Sequence, residues 1–225
     1  CYTMIKKTRA FICGISGYNL KKNEIVFLKK YMPWGIILFT RNIKSIDQVQ
    51  NLTRSIKKIF KNPNYPILID EEGGRVSRLR KFIDNSIFSA KYFGDLYSKD
   101  KKKFEIYFNV YVKQISYLLR LIGININTVP LLDLRRSKSH KIISDRSYSN
   151  DKKILSKIGD ISINKFHQNR VGTVIKHLPG HGLAKTDSHY RLPIIDKDLK
   201  YLKKNDFFPF YKKKSILGMT GHLLI

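Results

Sequence analysis

Six short apolar runs, separated by tracts with helical periodicity, limit what this chain can fold into. "RAFICGI" (9–15), "GIILFT" (35–40), "YPILID" (65–70), "GININTVPLLDL" (123–134), "VGTVIKH" (171–177) and "SILGMTGHLLI" (215–225) read as six buried strands. Between them, "KKNEIVFLKKYM" (21–32), "SIDQVQNLTRSIKKIF" (45–60), "KKKFEIYFNVYVKQISYLLRLI" (101–122), "DKKILSKIGDISINKFHQN" (151–169) and "DKDLKYLKKNDFFPFYKK" (196–213) read as helices, the second with Ser45 as its N-cap. Buried strands joined through helices pair in parallel by crossover connections. That leaves a doubly wound sheet or a closed barrel.

The polar residues decide between the two. Thr40 and Arg41, Asp70 to Arg75, Asp133, Lys176 with His177, and His222 each fall at the C-terminal end of an expected strand, one strand after another. A doubly wound sheet gathers its ligand site at one switch point, whereas a barrel distributes it over nearly every strand end. The expected fold is therefore α/β, a TIM (β/α)8 barrel. Such a barrel takes about 250 residues and eight units. Residues 1–225 supply six, so the expectation is a single barrel domain with about the first six units present and its C-terminus incomplete. The segment "LLDLRRSKSHKIISDRSYSND" (131–151) is expected to form a loop on the ligand face.

The charge balance points elsewhere at first. With 44 Lys and Arg against 17 Asp and Glu, the chain carries a net charge of +27, a balance common among nucleic-acid-binding proteins. The lysine pairs recur along the whole chain, however, and no helix-turn-helix, RNP or zinc-finger pattern accompanies them. Nucleic acid is not expected as a partner. No run approaches eighteen consecutive apolar residues, which argues against a membrane partner, and cytoplasmic localisation is the expectation. Cys1 and Cys13 form neither a disulfide framework nor a CxxC pair.

Candidate chemistry concentrates in two stretches. "KHLPGHGLAKTDSH" (176–189) holds three of the chain's six histidines. His177 and His181 have helical metal-ligand spacing, but Pro179, Gly180 and Gly182 make a helix improbable there, so no metal is expected. Imidazole suits general acid/base work near neutrality, and Asp187 is close enough in sequence to His189 to bend back and fix its ring. Taken alone, Asp187 could equally cap a turn. "LIDEEGGRVSRL" (68–79) places Asp70 at a strand end with Arg75 and Arg78 nearby, a pattern that suits either a structural ion pair or a grip on paired sugar hydroxyls.

Together the motifs become specific. "GIILFTRN" (35–42), "IDEEGGRVSRLR" (69–80), "NTVPLLDL" (127–134), "DRSYS" (145–149), "KHLPGHGLAKTDSH" (176–189) and "GMTGH" (218–222) resemble, in order and approximate spacing, the bacterial β-N-acetylhexosaminidases of glycoside hydrolase family 3. The resemblance covers nearly the whole chain. It departs from the family in small ways at Glu71, usually Gln, and Leu178, often Phe.

The resemblance implies an exo-acting, retaining hydrolase that trims terminal β-linked N-acetylglucosamine from recycled cell-wall fragments, a muropeptide or disaccharide, with no cofactor. Asp70, Arg78, Arg146, Lys176 and His177 match its substrate-binding positions. His189 matches its acid/base, held by Asp187, and His181 takes a structural role in the same loop. The family's nucleophile is an aspartate downstream of the segment that "GMTGHLLI" resembles, so residues 1–225 by themselves are expected to be inactive. Alternatives are a phosphorylase, a relative acting on another β-linked sugar, and a sugar- or nucleic-acid-binding protein without turnover.

Overall fold

The computed structural model describes residues 8–136, 143–184 and 192–225. Six strands run in sequence order through one parallel sheet that curls into a half-barrel: β1 (Arg9–Cys13), β2 (Pro33–Leu38), β3 (Ile67–Ile69), β4 (Ile126–Asn127), β5 (Gly172–Leu178) and β6 (Leu217–Thr220). Every neighbouring pair is parallel. Among the described residues six α-helices lie between them: α1 (Lys22–Tyr31), α2 (Ile46–Phe60), α3 (Ala90–Lys99), α4 (Lys101–Leu121), α5 (Lys152–Gln168) and α6 (Leu199–Lys204).

The inner strands β2 to β5 read as continuous apolar runs because they are covered on both faces. The edge strands β1 and β6, also expected to be buried, are partly exposed because each has a neighbour on one side only. Alternate side chains point to opposite sides of a sheet. Ile36 and Leu38 of β2, Ile67 and Ile69 of β3 and Ile175 of β5 enter the large core against the helices. Leu68, Ile126 and Val174 form a second cluster on the other face with Trp34, Ile37, Leu217 and Met219, the layered filling of a curled parallel sheet.

The helices follow from their caps and stripes. Ser45 accepts from the Gln48 N–H, Asp100 from Lys103 and Asp151 from Lys153 and Ile154, so α2, α4 and α5 each begin on a side chain that satisfies orphan amides. In α4, Phe104, Phe108, Val112, Ile115 and Leu119 form the buried stripe. No described helix is long and apolar enough to cross a membrane.

The structure shortens two expectations and adds one element. The run 123–134 contributes only the two-residue β4, because its C-terminal part turns aside to form the site. The tract 196–213 yields the short α6 and a 3-10 turn (Phe208–Phe210) around Pro209, whose ring cannot continue a helix. Helix α3 was not anticipated, although Ser89 caps it by accepting from Tyr92. Its apolar stripe is short, and Gly94 weakens the helical signal.

Gly94 is there for close approach. A Cβ on it would lie 1.6 Å from the Tyr148 carbonyl oxygen, so α3 touches the backbone of the segment just after Arg146. Gly94→Ala gains about 1 kcal/mol of helix propensity but forces that backbone away. A net loss of about 2 kcal/mol is expected in urea unfolding, together with weaker ligand binding because the Arg146 turn moves.

Candidate active site

In a parallel sheet all strand C-termini lie along one rim, and the polar residues anticipated from sequence meet there. They line a cavity of about 670 Å³ that includes Asp70, Glu72, Arg78, Arg146, Lys176 and His177, with apolar wall from Ile37, Phe39 and Met219.

Asp70 follows β3 directly, and Lys176 lies within β5. The Lys176 ammonium, 2% exposed, donates to Asp70 Oδ1 at 3.1 Å and Thr128 Oγ1 at 2.9 Å, and pairs with Glu72 Oε1 at 2.6 Å. Thr128 also donates a short hydrogen bond to Asp70 Oδ1. Arg146, delivered by the 3-10 turn Ser144–Arg146, holds Glu72 in a fork: Nε to Oε2 at 2.8 Å and Nη2 to Oε1 at 2.8 Å. Arg78 Nη2 stands 3.5 Å from Asp70 Oδ2, at the outer limit of a hydrogen bond.

The two carboxylates respond alike. Burial raises the pKa of Glu72, but the Lys176 charge and the Arg146 fork overcome it and hold the carboxyl at about 2. Burial opposes ionisation of Asp70 too, yet Lys176 and Thr128 keep it below the ordinary aspartate value. Both are anions at neutral pH.

Glu71, between them, behaves oppositely. Its side chain turns into the loop and accepts from the amides of Arg78 at 2.7 Å and Leu79 at 3.0 Å and from Asn85 Nδ2 at 2.6 Å. Burial without a cationic partner raises its pKa. Its own peptide unit is clamped by Asn127, whose Oδ1 accepts from the Glu71 N–H at 3.0 Å while Nδ2 donates to the Glu71 carbonyl at 2.8 Å. The strand end therefore cannot rotate, and Asp70 and Glu72 keep facing the cleft.

A second hub lies beside the first. Asp133, fully buried, accepts from the His177 ring Nδ1 at 2.7 Å through Oδ2, and from the backbone amides of His177 at 3.2 Å and His181 at 2.7 Å through Oδ1. Burial would raise its pKa, but the His177 ring and the two amides lower it. With Nδ1 committed to Asp133, the His177 ring has Nε2 to offer the cleft. Among the described residues, no three His, Cys, Asp or Glu side chains converge as metal ligands would.

The five expected sugar-binding residues thus share one cleft. His189 and Asp187 lie outside the described residues. Sequence reasoning did not select Glu72 as a site residue, although period-two alternation beyond β3 would have put Asp70 and Glu72 on one side and Glu71 on the other. Asp133 was placed at a strand end, but its pairing with His177 spans 44 residues and no local pattern encodes it.

Known proteins resemble this chain in both fold and sequence. The structure described as NagZ from Neisseria gonorrhoeae in complex with N-trifluoroacetyl-D-glucosamine superposes with a TM-score of 0.88 at 26% identity, over 97% of this chain and 65% of that one. A family 3 β-N-acetylglucosaminidase from Paenibacillus superposes at 0.84 and 26% identity, over the whole of this chain and 42% of the other. In sequence, a β-hexosaminidase from Histophilus somni is 31% identical over 217 residues, covering 95% of this chain and 61% of the relative. Beta-hexosaminidase A from Pseudoalteromonas piscicida is 30% identical over 219 residues and is spanned for 36% of its length. The sequence profile of the glycosyl hydrolase family 3 N-terminal domain matches residues 5–224, and the chain belongs to that family.

Proposed function

We propose that the protein carrying this chain is a retaining exo-β-N-acetylglucosaminidase that acts in the cytoplasm on peptidoglycan-derived fragments. The chain is read as one barrel domain, its six strands being the first six units of a (β/α)8 fold. The observation that supports this most is the Lys176 cluster: two carboxylates, two arginines and a buried lysine converge with His177 on the strand rim in a family 3 chain.

Asp70 and Lys176 offer acceptor and donor side by side, as vicinal sugar hydroxyls require; Arg78 adds a further donor, and His177, whose Nδ1 donates to Asp133, presents Nε2. Glu72 touches no sugar in this reading. It keeps Lys176 and Arg146 in place and balances their charge, so that the cleft binds a neutral sugar rather than an anion. His189, oriented by Asp187, protonates the glycosidic oxygen as an aspartate attacks the anomeric carbon; the same imidazole then takes a proton from the water that releases the sugar.

The full-length protein is expected to release N-acetylglucosamine from a chromogenic N-acetyl-β-glucosaminide with the β configuration retained in the first-formed product. NMR of that product decides: an inverted anomer refutes retention, and turnover that requires phosphate and yields the 1-phosphate assigns a phosphorylase instead. Asp133→Asn is expected to lower kcat/KM about a hundredfold through misplacement of the His177 ring, with unchanged activity excluding that positioning.

Glu72 makes a further prediction. Its folded pKa of about 2 lies below the unfolded value, so it contributes stability above pH 4.5 that is lost as pH falls from 4.5 towards 2. Glu72→Gln is expected to cost about 3 kcal/mol at pH 7 and to flatten the acid limb. Urea midpoints measured from pH 7 to pH 3 check both, and an unchanged acid limb assigns the loss of stability to other carboxylates.

A further inference from the structure

His181 stands apart from the other polar side chains of the cleft. It is 4% exposed and lines the cavity, yet neither ring nitrogen has a hydrogen-bond partner among the described residues. Leaving a buried polar group unpaired typically costs about 1–3 kcal/mol, and native structures rarely retain one without a use.

The loop does not need this imidazole for its shape. The structural work at position 181 is done by the backbone amide, which donates to Asp133 Oδ1 at 2.7 Å. The turn around it is set by its glycine neighbours. Gly180 has φ +132°, and a Cβ on Gly182 would lie 2.3 Å from the Leu134 carbonyl oxygen. The ring itself packs edge-on to His177, with centroids 5.9 Å apart, and its Cδ2 lies 3.4 Å from where a Cβ on Gly221 would stand. It is therefore wedged between the Asp133-bound histidine and the end of β6, its nitrogens without a partner among the described residues.

We infer that His181 is a ligand-contacting residue of the cleft: its imidazole hydrogen-bonds a neutral hydroxyl or carboxamide of the bound sugar. This rests on the reading of the cleft as an N-acetylglucosamine site and adds a contact beyond Asp70, Arg78, Arg146, Lys176 and His177. Burial lowers the His181 pKa, which favours the neutral ring, with one donor and one acceptor nitrogen. That pair matches a hydroxyl or an amide group, each of which can both donate and accept. A ligand group that pairs with these nitrogens recovers as affinity the cost of burying them unpaired.

The full-length protein, its His181→Phe and its His181→Asn variants test this by calorimetric titration with N-acetylglucosamine and by thermal melts. His181→Phe removes both nitrogens and keeps an aromatic ring; it is expected to melt at or above the wild-type temperature while binding at least tenfold more weakly. His181→Asn retains a donor and an acceptor and is expected to recover part of that loss. In the wild type, the ¹⁵N resonances of the His181 ring are expected to shift when the sugar is added.

Wild-type affinity in His181→Phe overturns the inference. So does a His181 ring whose ¹⁵N resonances stay fixed while those of His177 move, and that readout holds even where the phenylalanine variant fails to fold. A wild type that takes no N-acetylglucosamine at all removes the sugar reading of the cleft itself, whereas equal binding by wild type and variant removes only the role of His181.

Discussion

A buried ammonium organises this molecule. Lys176 sits inside the sheet with almost no access to water, and a lone charge there would be expensive by several kcal/mol. Its neighbours supply what water would have supplied: Asp70, Glu72 and Thr128 take its donors, and Glu72 is in turn gripped by Arg146. None of these groups is stable in its place without the others. Strands β3, β4 and β5 and the 143–148 segment are tied into one charge-balanced unit, and that unit forms the floor of the cleft.

The parallel sheet turns this local need into a site. Because each strand enters from the same end, Asp70, Thr128, Asp133, Lys176 and Thr220 arrive at one rim from four strands in succession. Helix burial fixes the strands and the concave cluster of Leu68, Ile126 and Val174 fixes their curl, so side chains remote in sequence meet within hydrogen-bonding distance. Arg146 differs, since it comes from a loop. Its position depends on Tyr148 resting against Gly94, which links the accuracy of the cleft to a helix that carries no site residue.

Much of this was legible in the sequence because two periodicities and one edge rule carry it. Apolar runs and helical stripes located all six strands and five of the six helices, and polar residues at the run ends located the rim. The short α3 escaped because its evidence was a serine cap and an interrupted stripe. The expected strand at 123–134 was too long because the sequence shows hydrophobicity and not hydrogen bonding. Beyond Thr128 the chain stays buried but its regular pairing breaks, and it meets β5 again only at the isolated Leu131–Lys176 bridge before bringing Asp133 to the His177 ring. That pair was invisible for a related reason: each residue is ordinary in its own segment, and only the fold brings them together.

Glu71 and Glu72 show how far adjacency in sequence can mislead about chemistry. The two side chains are identical and consecutive, and both are buried. Glu71 faces neutral donors, two backbone amides and an asparagine, so desolvation dominates and its pKa rises. Glu72 faces an ammonium and a guanidinium, and its pKa falls to about 2. The strand alternation that sends one into the loop and the other into the cleft thus separates their charges as well as their directions. A neutral polar side chain retains an acceptor for some of the bonds that Glu71 accepts. At position 72 the same exchange would remove the carboxylate with which both Lys176 and Arg146 pair. The asymmetry between the two positions is therefore electrostatic, and it originates in the cation at Lys176 on which the rest of the rim is assembled.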